Sequence, residues 1–122
     1  MPGAVATTID PNLLSILIVS LDNPEYFDLL MQGLEKNTTM PFEVLVHGNA
    51  CGPEFLAVVN KWMEEGLITQ YTTSNFNLAI ARPINTLAKY SRGGYIAFMD
   101  DDIYPAPGWN SCKPLDLKNL DF

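Results

Sequence analysis

Positive charge is what this sequence has least of: 7 Lys and Arg stand against 14 Asp and Glu in 122 residues, a formal net charge of −7 at pH 7. That deficit excludes a nucleic-acid backbone as partner, because no surplus of cations exists to displace its counterions. It also fits poorly with an anionic membrane surface. Cysteine is scarce as well. Cys51 and Cys112 lie far apart and form none of the close pairs that zinc sites or redox C-x-x-C motifs need, so they read as reduced thiols of a cytoplasmic protein. Long apolar runs are missing: the longest, Leu13 to Leu21, is too short to cross a bilayer. Met1 to Asn12, ahead of it, holds Asp10 and no Lys or Arg, so the run reads as a buried strand and not as a signal-peptide core. No P-loop and no G-x-G-x-x-G occurs, which argues against an NTPase or a dinucleotide-binding domain. With 48% hydrophobic and only 17% charged residues, a disordered chain and a coiled coil are excluded too.

What is present alternates apolar runs with helical periodicity. Ser15 to Val19 is continuously apolar and β-branched after its first residue, as a central strand covered on both faces requires. Asn23-Pro24 supplies a cap and a first-turn proline, and Phe27, Leu30, Met31 and Leu34 then form one helical stripe ending near Asn37. Phe42 to His47 reads as a second strand. Gly52-Pro53 opens a second helix, with Phe55, Val59, Trp62 and Met63 facing inward and Gly66 as its stop. Leu67 to Thr73 is the third strand. A third helix is expected over Ala79 to Tyr90, with Ile80, Ile84, Leu87 and Ala88 inside and Pro83 in its first turn. Gly93-Gly94 breaks the chain before a fourth strand, Tyr95 to Met99. No repeat or linker divides the sequence, so residues 1–122 read as one domain, with a core over 12–110 and a tail over 111–122.

The order β-α-β-α-β-α-β predicts an α/β, Rossmann-like, mostly parallel sheet with right-handed crossovers and helices on both faces. Such sheets bind ligands beyond the carboxyl ends of their strands, where the strand order reverses. The segments to search are Ser20 to Asn23, His47 to Gly52, Ser74 to Asn77, and Asp100 to Asp102.

Asp100-Asp101-Asp102 is the strongest chemical signal. Three adjacent carboxylates repel one another, and strand alternation puts Asp100 and Asp102 on one side with Asp101 facing away. Two hard oxygen donors on one side suit Mg²⁺ or Mn²⁺, ions that keep waters and draw further ligands from a diphosphate. The competing reading is a solvated acidic turn. Its position directly after a buried strand, where the ligand crevice belongs, favours metal.

Several segments, in order, resemble the family-2 glycosyltransferases, inverting nucleotide-sugar enzymes of the GT-A fold. Ser15 to Asp22 resembles their opening strand and loop, which often ends Pro-Thr-Tyr-Asn, and Glu43 to Asn49 resembles the strand that runs into Asp-Asn-Gly-Ser. Asn77-Leu78-Ala79, Asn85 and then Gly93 to Asp102 resemble the stretch from Asn-x-Gly through a second Asn to the Asp-x-Asp motif. Pro105-x-Pro107-Gly108-Trp109 resembles its usual sequel. The resemblance implies a GT-A sheet truncated after the Asp-x-Asp strand, and a site for a nucleotide-diphosphate sugar. Asp102 would ligate a divalent ion, Mn²⁺ or Mg²⁺, bridging the two phosphates, while Asp100 or Asp101 would meet the ribose or assist the metal. Ser20, Leu21 and Asp22, with Gly48 and Asn49, would hold the base, and Asn77 and Arg82 would complete the donor site.

The departures from that pattern are specific. The aromatic that commonly packs on the base is Leu21, and the base-reading Asp falls at Gly48. The Gly of Asn-x-Gly is Ala79. The Arg that directly precedes the second Asn is Ile84, with Arg82 three residues ahead of Asn85 as its substitute on the same helical face. Only Ile103 to Phe122 follow the acidic triplet, where the family carries an acceptor site and a general base. Asp116 and Asp121 read as exposed, and no base is assigned. The leading expectation is a metal-dependent glycosyltransferase domain transferring a sugar to a hydroxyl acceptor with inversion. The alternatives are a non-catalytic nucleotide-sugar-binding module of the same fold and, last, a receiver-like signalling domain, which would place its acidic cluster elsewhere. A half-domain should also leave apolar sheet surface open to self-association.

Among the remaining residues, His47 reads as a hydrogen-bonded strand-end residue, Trp62 as core, Trp109 as a plug on one end of the sheet, Glu64-Glu65 as an exposed helix end and Cys51 as inert.

Overall fold

A computed structural model describes residues 8–110 of the chain; Cys112, Asp116, Asp121 and the rest of the expected 111–122 tail lie outside the described residues. Seven elements follow one another as β1 (Asp10–Ser20), α1 (Pro24–Asn37), β2 (Phe42–Asn49), α2 (Pro53–Glu64), β3 (Ile68–Ser74), α3 (Ala81–Tyr90) and β4 (Gly93–Asp100). The four strands form one sheet in the order β3-β2-β1-β4, and every pairing is parallel. The order reverses between β1 and β4, so the crevice expected of a doubly wound sheet opens beyond Ser20 and Asp100.

Local chemistry sets the helix boundaries. Pro24 and Pro53 each stand in the first turn, where the missing N–H has no helical partner to lose. Gly66, with φ of 83°, lies just past the end of α2 in the left-handed region. α1 and α2 cover one face of the sheet: Ile16, Ile18, Val44 and Val46 pack with Phe27, Leu30, Met31, Leu34, Phe55, Val59 and Trp62. α3 covers the other, where Leu87 meets Leu17 and Leu45, with Ile84 and Ala88 beside them. Helices on both faces are therefore observed as expected.

Two inward assignments fail. Ile80 is 60% exposed and Met63 42%. Residues 77–80 form a loop ahead of α3, which starts at Ala81 and not at Ala79, so the helical period does not reach Ile80. Met63 stands one residue past the buried Trp62 in the last turn of α2, about 100° around the helix and off the buried stripe.

Strand register explains the two faces of β4. Ala97 pairs with Ile16 and Met99 with Ile18, on the α1–α2 side, whereas Phe98 pairs with Leu17 and Asp100 with Val19, on the α3 side. β4 is an edge strand, and Tyr95, Ile96 and Phe98 remain exposed along it. At the opposite end, Glu43 is buried and accepts hydrogen bonds from the Ser15 hydroxyl at 2.7 Å, the Arg92 backbone N–H at 2.7 Å and the Arg92 Nε at 3.0 Å. The indole N–H of Trp109 donates to Thr38 Oγ1 at 3.1 Å while its ring packs against the core, so this residue plugs the sheet as expected.

Candidate functional site

The carboxyl rim is built from four turns, one after each strand. After β1, Asp22 adopts a left-handed backbone (φ 72°) and its Oδ1 accepts the Gly52 N–H at 3.1 Å. This bond ties the first loop to the start of α2. Leu21 and Asp22 are both exposed, whereas Ser20 is buried.

The acidic triplet divides by direction. Asp100 ends β4 on the α3 side and is exposed. Asp101 points to the other face, is 8% exposed, and accepts the Ser20 hydroxyl through a short hydrogen bond and Asn23 Nδ2 at 3.2 Å. Its carboxylate is thus committed to locking β4 onto the entry of α1. The strand alternation expected to place these three side chains does not extend over the triplet: β4 ends at Asp100, and Asp101 and Asp102 both lie in the turn that follows, Asp101 buried and Asp102 exposed. Asp100 also borders a depression of about 610 Å³ between β4 and α3, together with Ile80, Ile84, Asn85 and Phe98. Arg82 is exposed on the first turn of α3, outside that lining.

Asn49 does a structural job that the sequence did not suggest. It is 1% exposed, and its Oδ1 accepts the Leu78 N–H at 3.1 Å while its Nδ2 donates to the Ala79 carbonyl at 2.7 Å. Ala79 sits at φ 61°, and its N–H is taken by Asn77 Oδ1 at 2.7 Å. For a residue with a Cβ that conformation costs about 1–2 kcal/mol, and the two asparagines hold it. Its position is where the resembled pattern carries Gly, a signal that a left-handed residue belongs there. A third such residue, Ala50 (φ 53°), donates its N–H to the Ser74 carbonyl at 3.0 Å.

Neighbouring groups are quiet chemically. His47 is hydrogen-bonded to Thr72 Oγ1 at 2.7 Å through Nδ1, and to Asn49 Oδ1 and Ser74 Oγ, each at 3.1 Å, through Nε2. Burial lowers its pKa, with the Asn49 contact partly offsetting that, so the ring is neutral at pH 7. Burial, then the charges of Asp22 and Asp101, push the Cys51 thiol up to about 11. It therefore stays protonated and inert, as expected. At Gly48, where the resembled pattern has a base-reading Asp, an added Cβ would lie 2.5 Å from the Tyr71 hydroxyl and 3.2 Å from Cys51 Sγ. The space a side chain there would take is already filled by Tyr71.

Among the described residues, no group of three His, Cys, Asp or Glu side chains is arranged to cage a metal. Asp100 and Asp102 are both exposed, and carboxylate oxygens are the donor type that Mg²⁺ or Mn²⁺ takes alongside water and a diphosphate.

The glycosyl transferase family 2 model matches residues 15–111. The chain belongs to glycosyltransferase family 2. No curated protein matched it in sequence. Among solved structures, residues 1–349 of S. aureus TarS in complex with UDP superpose with a TM-score of 0.64 at 23% identity, over 75% of this chain and 28% of that one. The mannosyltransferase PcManGT from Pyrobaculum calidifontis, in complex with GDP-Man and Mn²⁺, gives a TM-score of 0.69 at 18% identity over 86% of this chain and 32% of that one. At these identities the superpositions establish the fold, that of the GT-A glycosyltransferases. The family-2 chain spans about a third or less of the length of either neighbour. No helix among the described residues is long and apolar enough to cross a membrane.

Proposed function

We propose that this chain is the donor-binding part of a metal-dependent glycosyltransferase, which takes a nucleotide-diphosphate sugar and transfers its sugar to a hydroxyl acceptor with inversion. The observation that carries this reading is the acidic turn at the strand-order reversal. There Asp101 is locked inward by Ser20 and Asn23, while Asp100 and Asp102 stand exposed. UDP bound to one structural neighbour, and GDP-Man with Mn²⁺ bound to another, support it.

In this reading Asp102 and Asp100 hold Mn²⁺ or Mg²⁺, which, when bound, neutralises negative charge on a diphosphate leaving group. The chain's own residues orient the donor. Leu21 and Asp22 form the exposed lip on the base side, and Asn77, Arg82 and Asn85 lie toward the sugar. Asp101, Ser20 and Asn49 act inward, fixing the turns that carry the others. With Tyr71 filling the space beside Gly48, base contacts fall to backbone groups of the rim and to the Tyr71 hydroxyl.

Titration calorimetry with UDP-, GDP- and dTDP-sugars, with and without Mn²⁺, tests the reading. Metal-dependent binding is expected, and Asp102→Ala should weaken it at least about 100-fold, beyond what outer-shell changes usually cost. Unchanged binding in that variant overturns the metal role. Release or transfer of the sugar identifies the enzyme, whereas binding without turnover favours a non-catalytic module.

The open edge of β4 is proposed as a self-association surface for a second copy. Antiparallel two-fold pairing there would satisfy the unpaired backbone groups of the edge strand while covering Ile96 and Phe98.

A further inference from the structure

The segment that follows the acidic turn does not leave the fold. It runs back along α1. At the start of that helix Asn23 grips Asp101, and further along the buried Gly33 faces the Pro105 ring. A Cβ on Gly33 would lie 2.8 Å from Pro105 Cδ and 3.0 Å from the Tyr104 ring. One turn later, Asn37 Nδ2 donates to the Pro105 carbonyl at 2.8 Å. Glycine in a helix interior costs about 1 kcal/mol relative to alanine, and here it leaves room for Pro105 against the helix.

The step between the two anchors is short. Asp101 is held by Ser20 and Asn23, and Pro105 lies against Gly33 with its carbonyl bonded to Asn37. Only the strap 102–104 lies between these fixed points, and Asp102 is part of it. A segment this short has little slack to absorb a shift at one end.

We propose that Gly33 is a positioning residue for the acidic turn: by seating Pro105 against α1 it anchors the far end of the short strap and so fixes where the Asp102 carboxylate stands. The inference rests on the reading of that carboxylate as a metal ligand. Introducing a methyl group at position 33 must push Pro105 outward by roughly 0.6 Å or more to restore ordinary contact. Mn²⁺ and Mg²⁺ require near-octahedral oxygen geometry, so a displacement of that size is felt. Loss of outer-shell support typically lowers metal affinity about 10- to 100-fold.

The test compares the intact chain with Gly33→Ala and with Gly33→Ala combined with Pro105→Ala, which removes the nearest clashing carbon and leaves only the half-exposed Tyr104 ring, free to swing into solvent. Two readouts are taken: Mn²⁺ affinity in the presence of UDP, and amide hydrogen exchange at residues 102–104. Gly33→Ala is expected to weaken Mn²⁺ about tenfold and to speed exchange in the strap, with α1 itself still protected. The double variant should recover both. Exchange in the strap unchanged by Gly33→Ala, or not recovered in the double variant, overturns the positioning role. If exchange responds as expected but the unaltered chain takes up no Mn²⁺, the strap stands as a structural device, while its role at a metal, and the metal reading itself, are overturned.

Discussion

Replacing Asn49 with Ala isolates the feature on which the rim depends most. The amide is nearly inaccessible and serves the Leu78 N–H and the Ala79 carbonyl, with Ser74 Oγ and His47 Nε2 as further partners. Leaving a buried donor or acceptor without its partner costs about 1–3 kcal/mol each. Leu78 is half-buried and Ala79 exposed, so water can reach both backbone groups once the amide is gone, and the lower end applies to each. The sum is about 2 kcal/mol. For a domain of this size that lowers Tm by roughly 6–10 °C. Thermal unfolding followed by circular dichroism measures it directly. The same variant frees the loop carrying Asn77 and the left-handed Ala79, so nucleotide-sugar affinity should fall even at temperatures where the fold is intact. A Tm within 2 °C of the unaltered chain would show that the loop is held by other means and that the amide is not its clamp.

Three further outcomes are expected. Ala79→Gly removes the left-handed penalty at φ 61° and, after allowing for glycine's greater freedom in the unfolded chain, should stabilise by about 0.5–1 kcal/mol in urea unfolding; a loss of stability refutes the strain. Stability should be flat above pH 7 and fall below about 6.5, because burial holds the folded-state pKa of His47 below its ordinary value and the unfolded chain takes up a proton first. A second decline should begin below about 4.5, since Glu43 is raised by burial but lowered more by the Arg92 N–H, Ser15 and the Arg92 guanidinium, and its contribution is lost as pH falls through the depressed value; Glu43→Gln, followed across the same pH series, should abolish that second step. Phe98→Lys, at a residue 65% exposed on the open strand, should shift sedimentation toward monomer without lowering Tm, and a chain already monomeric at high concentration overturns the self-association proposal.

The elements were legible because their signals are local. Prolines at 24 and 53, the glycine at 66 and the stripe Phe27-Leu30-Met31-Leu34 each act within a turn or two of themselves. The position of the acidic triplet followed from the same logic, since a strand-helix alternation fixes which end of the sheet collects the loops. Ile80 falls outside the helix because the period expected from Ala79 onward meets a backbone turned at Ala79 and tied to Asn49, 30 positions earlier. No pattern in the segment itself announces that tie. Asn49 and Asp101, expected at the ligand, turn side-chain atoms inward in this structure. A polar residue at a rim looks the same in sequence whether its atoms turn outward to a ligand or inward to the next turn.

That ambiguity has a physical resolution in this fold. Parallel strands end without hairpins, so each rim turn must be held by something other than its neighbour in the chain. Here the holding is done by side chains reaching across strands: Asp101 to Ser20, Asp22 to Gly52, Asn49 to Leu78 and Ala79. Each such bond spends an atom that a ligand would otherwise meet. What remains facing outward is sparse, with Asp100, Asp102 and Arg82 carrying charge and the backbone of the left-handed residues supplying fixed dipoles. In the proposed reading, a rim of this kind binds its donor through a few preset groups with little rearrangement. Variants of the inward set should therefore lower ligand affinity and stability together, whereas Asp100→Asn or Asp102→Asn should lower affinity and leave the melting temperature nearly where it was.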